Sequence, residues 1–446
     1  NGFDAVTERG VVYAITPGVT LESGTKLQSG SGEGVFNVTV GDLLPETRYY
    51  IRAYAINGFG VSYSTEICVS TLGSGIYSDL SAEGTANSYM VSKPGNYNFH
   101  CAVRGNSSEG IGGVPVYADV LWQTKDSIIS SVSLSANKVL FTVPEIFNQG
   151  NALIAVRDAD STVLWSWHIW VTDYEPAEVY HRYNSGAVMM DRNIGAVRAD
   201  RGVNEEWRES VGMMYQWGRK DPLVYGLFTV SSDTKESVEY YNAHPTEYGY
   251  GNQWCETFNY DQWSPDHKTV YDPCPVGYRV SNMDAVDGLV KGEGESYDFG
   301  MNLLYDDKNT AWYPSTPHLD QWGNYNDATS YGYVWLSNCP FESSNGAYNI
   351  HYNGGLLAIE RGYALGYAYP VRCMREPGIT VRTVSYTSTH NSAEVTGEVV
   401  SSGASEVLEY GVVWSANHNI NLVITNPTDS YVVKGEEAGQ FGEFST

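Results

Sequence analysis

Residues 43–55 constrain the fold most. Leu43-x-Pro45-x-Thr47-x-Tyr49 leads into a run where Tyr49, Ile51, Ala53 and Ala55 fall on one face of a period-two strand. A proline and a polar turn enter the strand. A tyrosine sits where its hydroxyl can tie back to the corner backbone, the tyrosine-corner logic of Greek-key sandwiches. A chain built on such corners is β-rich, and the composition agrees: Tyr is abundant (35), Gly numbers 46 and Trp 12. No long amphipathic helix is signalled.

The segment 1–72 resembles the second half of a fibronectin type III domain. Glu8-Arg9-Gly10-Val11-Val12-Tyr13 is matched near the other end by Glu409-Tyr410-Gly411-Val412-Val413-Trp414. The copy from 377 to 446 has an early alternating strand (Ala393, Val395, Gly397, Val399) and stops before any second corner motif. Both ends therefore read as partial sandwiches, cut from a tandem array or completing each other between molecules, which would be self-association. Asn1-Gly2-Phe3 reads as a cut point.

Residues 73–175 read as an Ig-like sandwich of short strands between Gly, Asn and Ser turns. The aromatic run Val163-Leu164-Trp165-Ser166-Trp167-His168-Ile169-Trp170-Val171 is expected to be a core strand, and Asp173-Tyr174-Glu175-Pro176 a linker. Residues 176–376 are rich in Trp, Tyr, Gly and Asn, with short helices expected at Glu205–Gln216 and from Asn282 to Val290. Aromatic packing and disulfides would compensate for so few regular elements.

Lys+Arg is 26 against 52 Asp+Glu, a formal charge of −26. Nucleic acid and anionic membranes need a basic face, so neither is an expected partner. No apolar run approaches the about 18 residues of a membrane-spanning helix. The six cysteines form no C-x-x-C, and their even number favours disulfides in an extracellular chain. Buried thiols are the alternative for Cys68 and Cys101.

Four motifs in order carry a family resemblance. They are Met189-Met190-Asp191-Arg192-Asn193-Ile194-Gly195-Ala196, Tyr215-Gln216-Trp217-Gly218-Arg219-Lys220-Asp221-Pro222, Tyr271-Asp272-Pro273-Cys274-Pro275-Val276-Gly277-Tyr278-Arg279-Val280 and Tyr369-Pro370-Val371-Arg372-Cys373-Met374-Arg375-Glu376. Together they resemble the Fibrobacter-type major paralogous domain of Bacteroidetes surface and fimbrillin-like proteins. The resemblance implies a C-type-lectin-like fold whose two ends meet, often under a long disulfide. It pairs Cys274 with Cys373 and leaves Cys255 with Cys339. The expected class is multidomain and mainly β: Ig/fibronectin-like β-sandwiches plus one irregular α+β C-type-lectin-like domain. Asp191, Arg192 and Asn193 are expected in buried turns and Arg219, Lys220 and Asp221 in a structural ion pair. Arg279 and Arg372 are expected to meet nearby carboxylates.

Binding is expected in the late region, through Trp322, Tyr325, Asn326, Tyr331, Trp335, Asn345, Tyr348, Asn349, His351, Tyr352, Asn353, Tyr363 and Tyr367. Tyr and Trp supply rigid contact area, and Asn supplies adaptable hydrogen bonds. Sugars, with apolar faces ringed by hydroxyls, match that pattern. About half of these side chains are expected to pack inward. The scatter of Asn and Tyr also resembles lectin-like domains diversified by retroelement-driven adenine mutagenesis, which implies that sibling copies differ in this window.

The functional expectation is a non-enzymatic adhesin or pilus-associated protein at the cell surface, outer membrane-anchored or on a pilus. Its ligand is a glycan or protein on a host or bacterial surface. No catalytic residue, metal or cofactor is expected. Classical calcium-lectin motifs are missing, and Asp306-Asp307 with Asn309 reads as a solvated loop. The alternatives are a structural fibre subunit and an enzyme of the formylglycine-generating class, which would need a reactive cysteine pair.

Overall fold

The computed structural model describes residues 5–41, 43–44, 47–71, 77–230, 235–257, 259, 262–291, 299–340, 346–354 and 356–376. It also describes the strand backbones at 380–388, 393–401, 411–414, 431–434 and 442–445. The chain is multidomain and mainly β.

The first sheet comprises β1 (Glu8–Ala14), β2 (Thr25–Gln28), β3 (Arg48–Asn57), β4 (Gly60–Tyr63) and β5 (Ile67–Ser70). Its order is β2-β1-β3-β4, with β5 also on β3. The corner is present: Tyr49 Oη accepts the N–H of Leu44 at 3.1 Å. Tyr49, Ile51, Ala53 and Ala55 share a face, but the opposite face holds the small core of Val12, Val19 and Tyr54. The reason is the segment after β1, which folds back over that side. The Glu66 carboxylate accepts the N–H groups of Gly18 and Val19, and Tyr63 Oη that of Leu21.

At the other end, Thr380–Ser388, Ala393–Ser401 and Gly442–Ser445 form one sheet. Gly411–Trp414 pairs with Tyr431–Lys434. The repeated Gly-Val-Val-aromatic tetrad is thus a strand in both copies.

Next come β6 (Ser78–Asp79), β7 (Ser88–Val91), β8 (Gly95–His100), β9 (Tyr117–Gln123), β10 (Ser131–Ser135), β11 (Lys138–Val143), β12 (Gly150–Arg157) and β13 (Val163–Val171). They form two sheets, β10-β11-β8-β6 and β7-β13-β12-β9. The aromatic run is β13. Trp165, Trp167, Ile169 and Val171 enter the sandwich core, while Trp170 joins the core of the following unit. A strand covered on both faces reads as a near-continuous apolar run. The expected linker is built in rather than loose. Tyr174 is buried, its hydroxyl donates to Val179 O at 3.0 Å and accepts Asp191 N–H at 3.1 Å, and Arg192 lies over its ring.

From 177 to 376 the elements are short. Glu205–Gln216 is not a helix. A 3₁₀ turn at Asn204–Ser210 ends before Gly212, whose φ of +82° breaks the run, and Met214–Gln216 is a strand. Likewise only Asp284–Val286 is helical in the second stretch, as a 3₁₀ turn. Among the described residues the α-helix lies instead at Val238–Ala243, capped by Ser237, whose hydroxyl accepts Tyr240 N–H at 3.1 Å. The two ends of the unit meet in one sheet, where Val188–Met190 and Tyr278–Val280 both pair with Cys373–Arg375. Cys274 and Cys373 are disulfide-bonded beneath it. Cys255 and Cys339 are not joined to each other, and Cys68 and Cys101 also remain thiols, Cys68 exposed and Cys101 buried. One expected staple is therefore present and the other is not, and the expected aromatic packing is a core of buried indoles: Trp217, Trp254, Trp263 and Trp335.

Candidate functional site

The hairpin of His318–Leu319 and Tyr325–Asn326 displays its turn by local chemistry. Asp320 Oδ1 accepts the N–H groups of Trp322 and Asn324, both at 2.9 Å, and Oδ2 accepts Asn324 Nδ2 at 3.0 Å. Gly323 takes φ +79°, which a side chain would strain. A Cβ there would also meet Val230 Cγ2 at 3.0 Å, so the tip rests on the strand Thr229–Val230 and on Phe228 before it. This locked turn holds Trp322 at the surface, 48% exposed.

Beside it, Tyr325 stacks on Tyr225 with ring centroids 4.4 Å apart and planes 26° from parallel. Tyr225 is 57% exposed, and Leu227 and Val230 of the same loop are exposed too. Arg208 fixes the far end of the hairpin. Its guanidinium lies over Trp207 and grips Asp327 through two bonds of 2.7 and 3.1 Å. The pair is solvent-exposed, so it orients more than it stabilises. Burial, then the neighbouring Asp327 charge, pushes the Tyr325 phenol up, so it stays a neutral donor.

Behind the hairpin runs a ladder of rings whose inner members, His318, Tyr333 and Tyr369, are buried. Tyr331 Oη donates to Asn326 Oδ1 at 3.4 Å. His318 lies against Tyr331, Tyr333, Tyr367 and Tyr369. Tyr333 stacks between His351 and Tyr369, each at 4.6 Å. Burial lowers the His318 pKa, and its Nδ1–H donates to Thr316 O at 3.2 Å. The imidazole is therefore neutral at pH 7.

Trp322, Tyr325, Asn326, Tyr331 and Tyr367 thus gather around one hairpin, with Tyr348, His351 and Asn353 half-buried on the strand Ala347–Asn353. Three expected binding residues are corrected to core. Trp335 donates its indole N–H to Tyr215 O at 3.0 Å, Tyr352 donates to Pro314 O, and Asn349 is wholly buried. They point inward because their strands sit between packed layers. Asn345 and the Tyr363 side chain lie outside the described residues. Tyr225, Leu227 and Val230 were not expected. Tyr225-Gly226 is the one local signal, since the glycine takes φ +84° and turns the loop outward.

The four motifs serve the scaffold. Buried Asp191 pairs with the half-buried Arg192 at 2.8 Å, and Asn193 Nδ2 donates to Val211 O. Lys220 and Asp221 pair at 2.7 Å, fully buried. Arg279 reaches Glu376 at 3.6 Å. Arg372, expected beside a carboxylate, instead meets neutral partners: Asn193 Oδ1, Trp312 O and the face of Tyr313 at 3.9 Å.

Asp306 spends its oxygens on its own loop. It accepts from Lys308 N, Asn309 N and Asn309 Nδ2, and the last bond does most to hold its carboxyl below the usual range. Among the described residues no three His, Cys, Asp or Glu side chains converge as metal ligands. Burial pushes the Cys255 thiol up to about 12, the reverse of what a nucleophilic thiolate needs. No helix among them is long and apolar enough to cross a membrane.

No protein-family model matches this chain, and no curated protein does. Among solved structures, the chicken CNTN1 FN1-FN3 domains are 13% identical with a TM-score of 0.13. The match covers 38% of this chain and 58% of that one. A Bacteroides ovatus mixed-linkage glucan utilization locus protein, SGBP-B, in complex with a mixed-linkage heptasaccharide, is 11% identical with a TM-score of 0.12. That match covers 37% of each chain. Likenesses this slight carry no argument about ligand or activity.

Proposed function

We propose that this chain is a non-enzymatic ligand-binding protein of the cell surface, adhesin-like, whose ligand is a glycan. The observation that carries the reading is the locked hairpin: it holds Trp322 in solvent beside the stacked Tyr225 and Tyr325, with Asn326 adjoining. Exposed indole and phenol faces match the apolar faces of sugar rings, and the amide and hydroxyls match their hydroxyl rims. The −26 charge favours a neutral ligand over a polyanion. A buried disulfide supports an oxidising, extracellular setting. The meeting of both ends of 177–376 over that disulfide supports the lectin-like family reading. The locked disulfide and the raised Cys255 thiol weigh against a formylglycine-generating enzyme.

The test is a glycan array, with and without EDTA, followed by titration of the best glycan into the intact chain and into Trp322→Ala and Tyr225→Ala. A central aromatic anchor is worth about 2 kcal/mol, so each substitution should weaken Kd roughly 30-fold. Binding that survives both substitutions, or no glycan bound by a folded chain, overturns the proposal.

A further inference from the structure

The motif Arg219-Lys220-Asp221 lies at the root of the loop that carries Tyr225, and all three side chains are buried. Arg219 holds one side of that loop. Its guanidinium donates to Glu247 O at 2.8 Å and Pro245 O at 3.0 Å. The neighbouring strand, Glu247–Tyr248, pairs with Thr229–Val230. Lys220 and Asp221 reach the other way, into the preceding sandwich. Lys220 Nζ contacts both Asp221 oxygens at 2.7 Å, donates to Ser166 Oγ at 2.6 Å and sits over the Trp165 ring at 4.3 Å. Ser166 Oγ in turn donates to Asp221 Oδ1 at 2.6 Å.

More buried polar contacts cross the same boundary. Asn87 Nδ2 donates to Val270 O and Asp272 O, at 2.8 and 2.9 Å. Asn87 Oδ1 accepts the Trp165 indole N–H. Asn151 Nδ2 donates to Gly195 O at 2.8 Å, so its Oδ1 takes the Nε2–H of His168, whose Nδ1 accepts from Ser88 Oγ. Ser88 forms a parallel bridge with Pro275, next to the disulfide.

We propose that the sandwich 77–175 and the unit 177–376 are one cooperative body, and that the Ser166–Lys220–Asp221 joint is the positioning device through which the sandwich orients the Tyr225 loop. Ser166 supplies from across the boundary the hydroxyl that accepts from Lys220 and donates to Asp221, completing the shell around a pair that is buried on every side. Separation would break the cross-boundary bonds of Ser166, Asn87 and Asn151, all almost wholly buried, and open the packed face around the Lys220–Asp221 pair. Two bodies joined by a tether would open independently, and this boundary does not permit that. The role of the Tyr225 loop as a ligand surface rests on the preceding section, but the cooperativity does not.

The test is native-state hydrogen exchange on the intact chain, wild type against Ser166→Ala and Lys220→Met. Reporters are the amides of β12 and β13 on one side and of Tyr278–Val280 and Cys373–Arg375 on the other. In the wild type both sets should open with the same protection. In Lys220→Met both should lose about 100-fold or more together, and the 223–230 amides should follow. Ser166→Ala removes one hydroxyl and should give a smaller loss, about tenfold, again shared by both sets. Unequal protection in the wild type, or a loss confined to one side, overturns the proposal. Failure of the glycan screen would leave this readout untouched.

Discussion

Replacing Lys268 with methionine tests what holds the disulfide loop. The Lys268 ammonium is buried and donates to Asp272 Oδ1 at 2.8 Å, Cys274 O at 2.7 Å and Tyr278 O at 2.8 Å. Three acceptors for three protons leave it no unmet bond. Asp272 also accepts the N–H groups of Cys274 and Val280, at 2.8 and 2.9 Å. Methionine keeps the stem and removes the charge. An aspartate then stays buried without its cation, and two carbonyls lose their donor. Breaking a buried pair on one side costs about 3–5 kcal/mol. At about 4 kcal/mol the Tm of the cooperative body 77–376 should fall by roughly 6 °C. The decisive comparison is a double-mutant cycle with Asp272→Asn, read by exchange of the Cys274 and Val280 amides and by thermal unfolding. With no carboxylate left to strand, Lys268→Met should cost about 2 kcal/mol less in that background. A loss below about 1 kcal/mol in the wild type, or equal losses in both backgrounds, would refute the assigned role.

Two further outcomes follow. Cys274→Ser with Cys373→Ser opens a link spanning 99 positions and should cost about 4–5 kcal/mol in the chain-entropy account, seen as a lower urea midpoint; an unchanged midpoint would exclude it. The pH response should come from opposed groups. Burial lowers His168 to about 3 and His181 to about 4, so both stay neutral in the fold and remove stability as pH falls below 6.5. Burial raises Glu376 to about 7, so its protonated form restores stability as pH falls from 7 towards 4.5. From pH 7 to 4.5 His168 and His181 together remove about 5 kcal/mol, His318 acts in the same direction, and Glu376 returns about 3. Denaturation across this range should therefore show a steeper acid loss in Glu376→Gln than in wild type; parallel curves would contradict the assignment.

Legibility in the sequence followed the physics of each signal. The corner at Tyr49 was readable because proline, turn and tyrosine spacing are local. The tryptophan run was readable as core, because continuous apolar character marks a strand with both faces covered. The joint it makes with the next unit was not readable, since Lys220 and Ser166 lie 54 positions apart. The disulfide came from the resemblance and not from spacing. The misplaced helices failed on glycine: periodicity suggested Glu205–Gln216, and Gly212 with a positive φ ended it.

The binding surface shows the same division most sharply. Aromatic density could not separate Trp322 from Trp335, because in a unit with short elements the same rings make the core and the surface. Turn chemistry could have separated them. Asp320-Gln321-Trp322-Gly323-Asn324 places an aspartate, a left-handed glycine and an asparagine around one indole. Such a turn closes on its own backbone around a charged carboxylate, and burying its tip would take that charge out of water. Trp335 has no such residues beside it and lies in a strand. A large aromatic at the tip of a self-satisfied Asx turn is held out of the core by its neighbours. That makes display at Trp322 a property of the turn, and the site to substitute first.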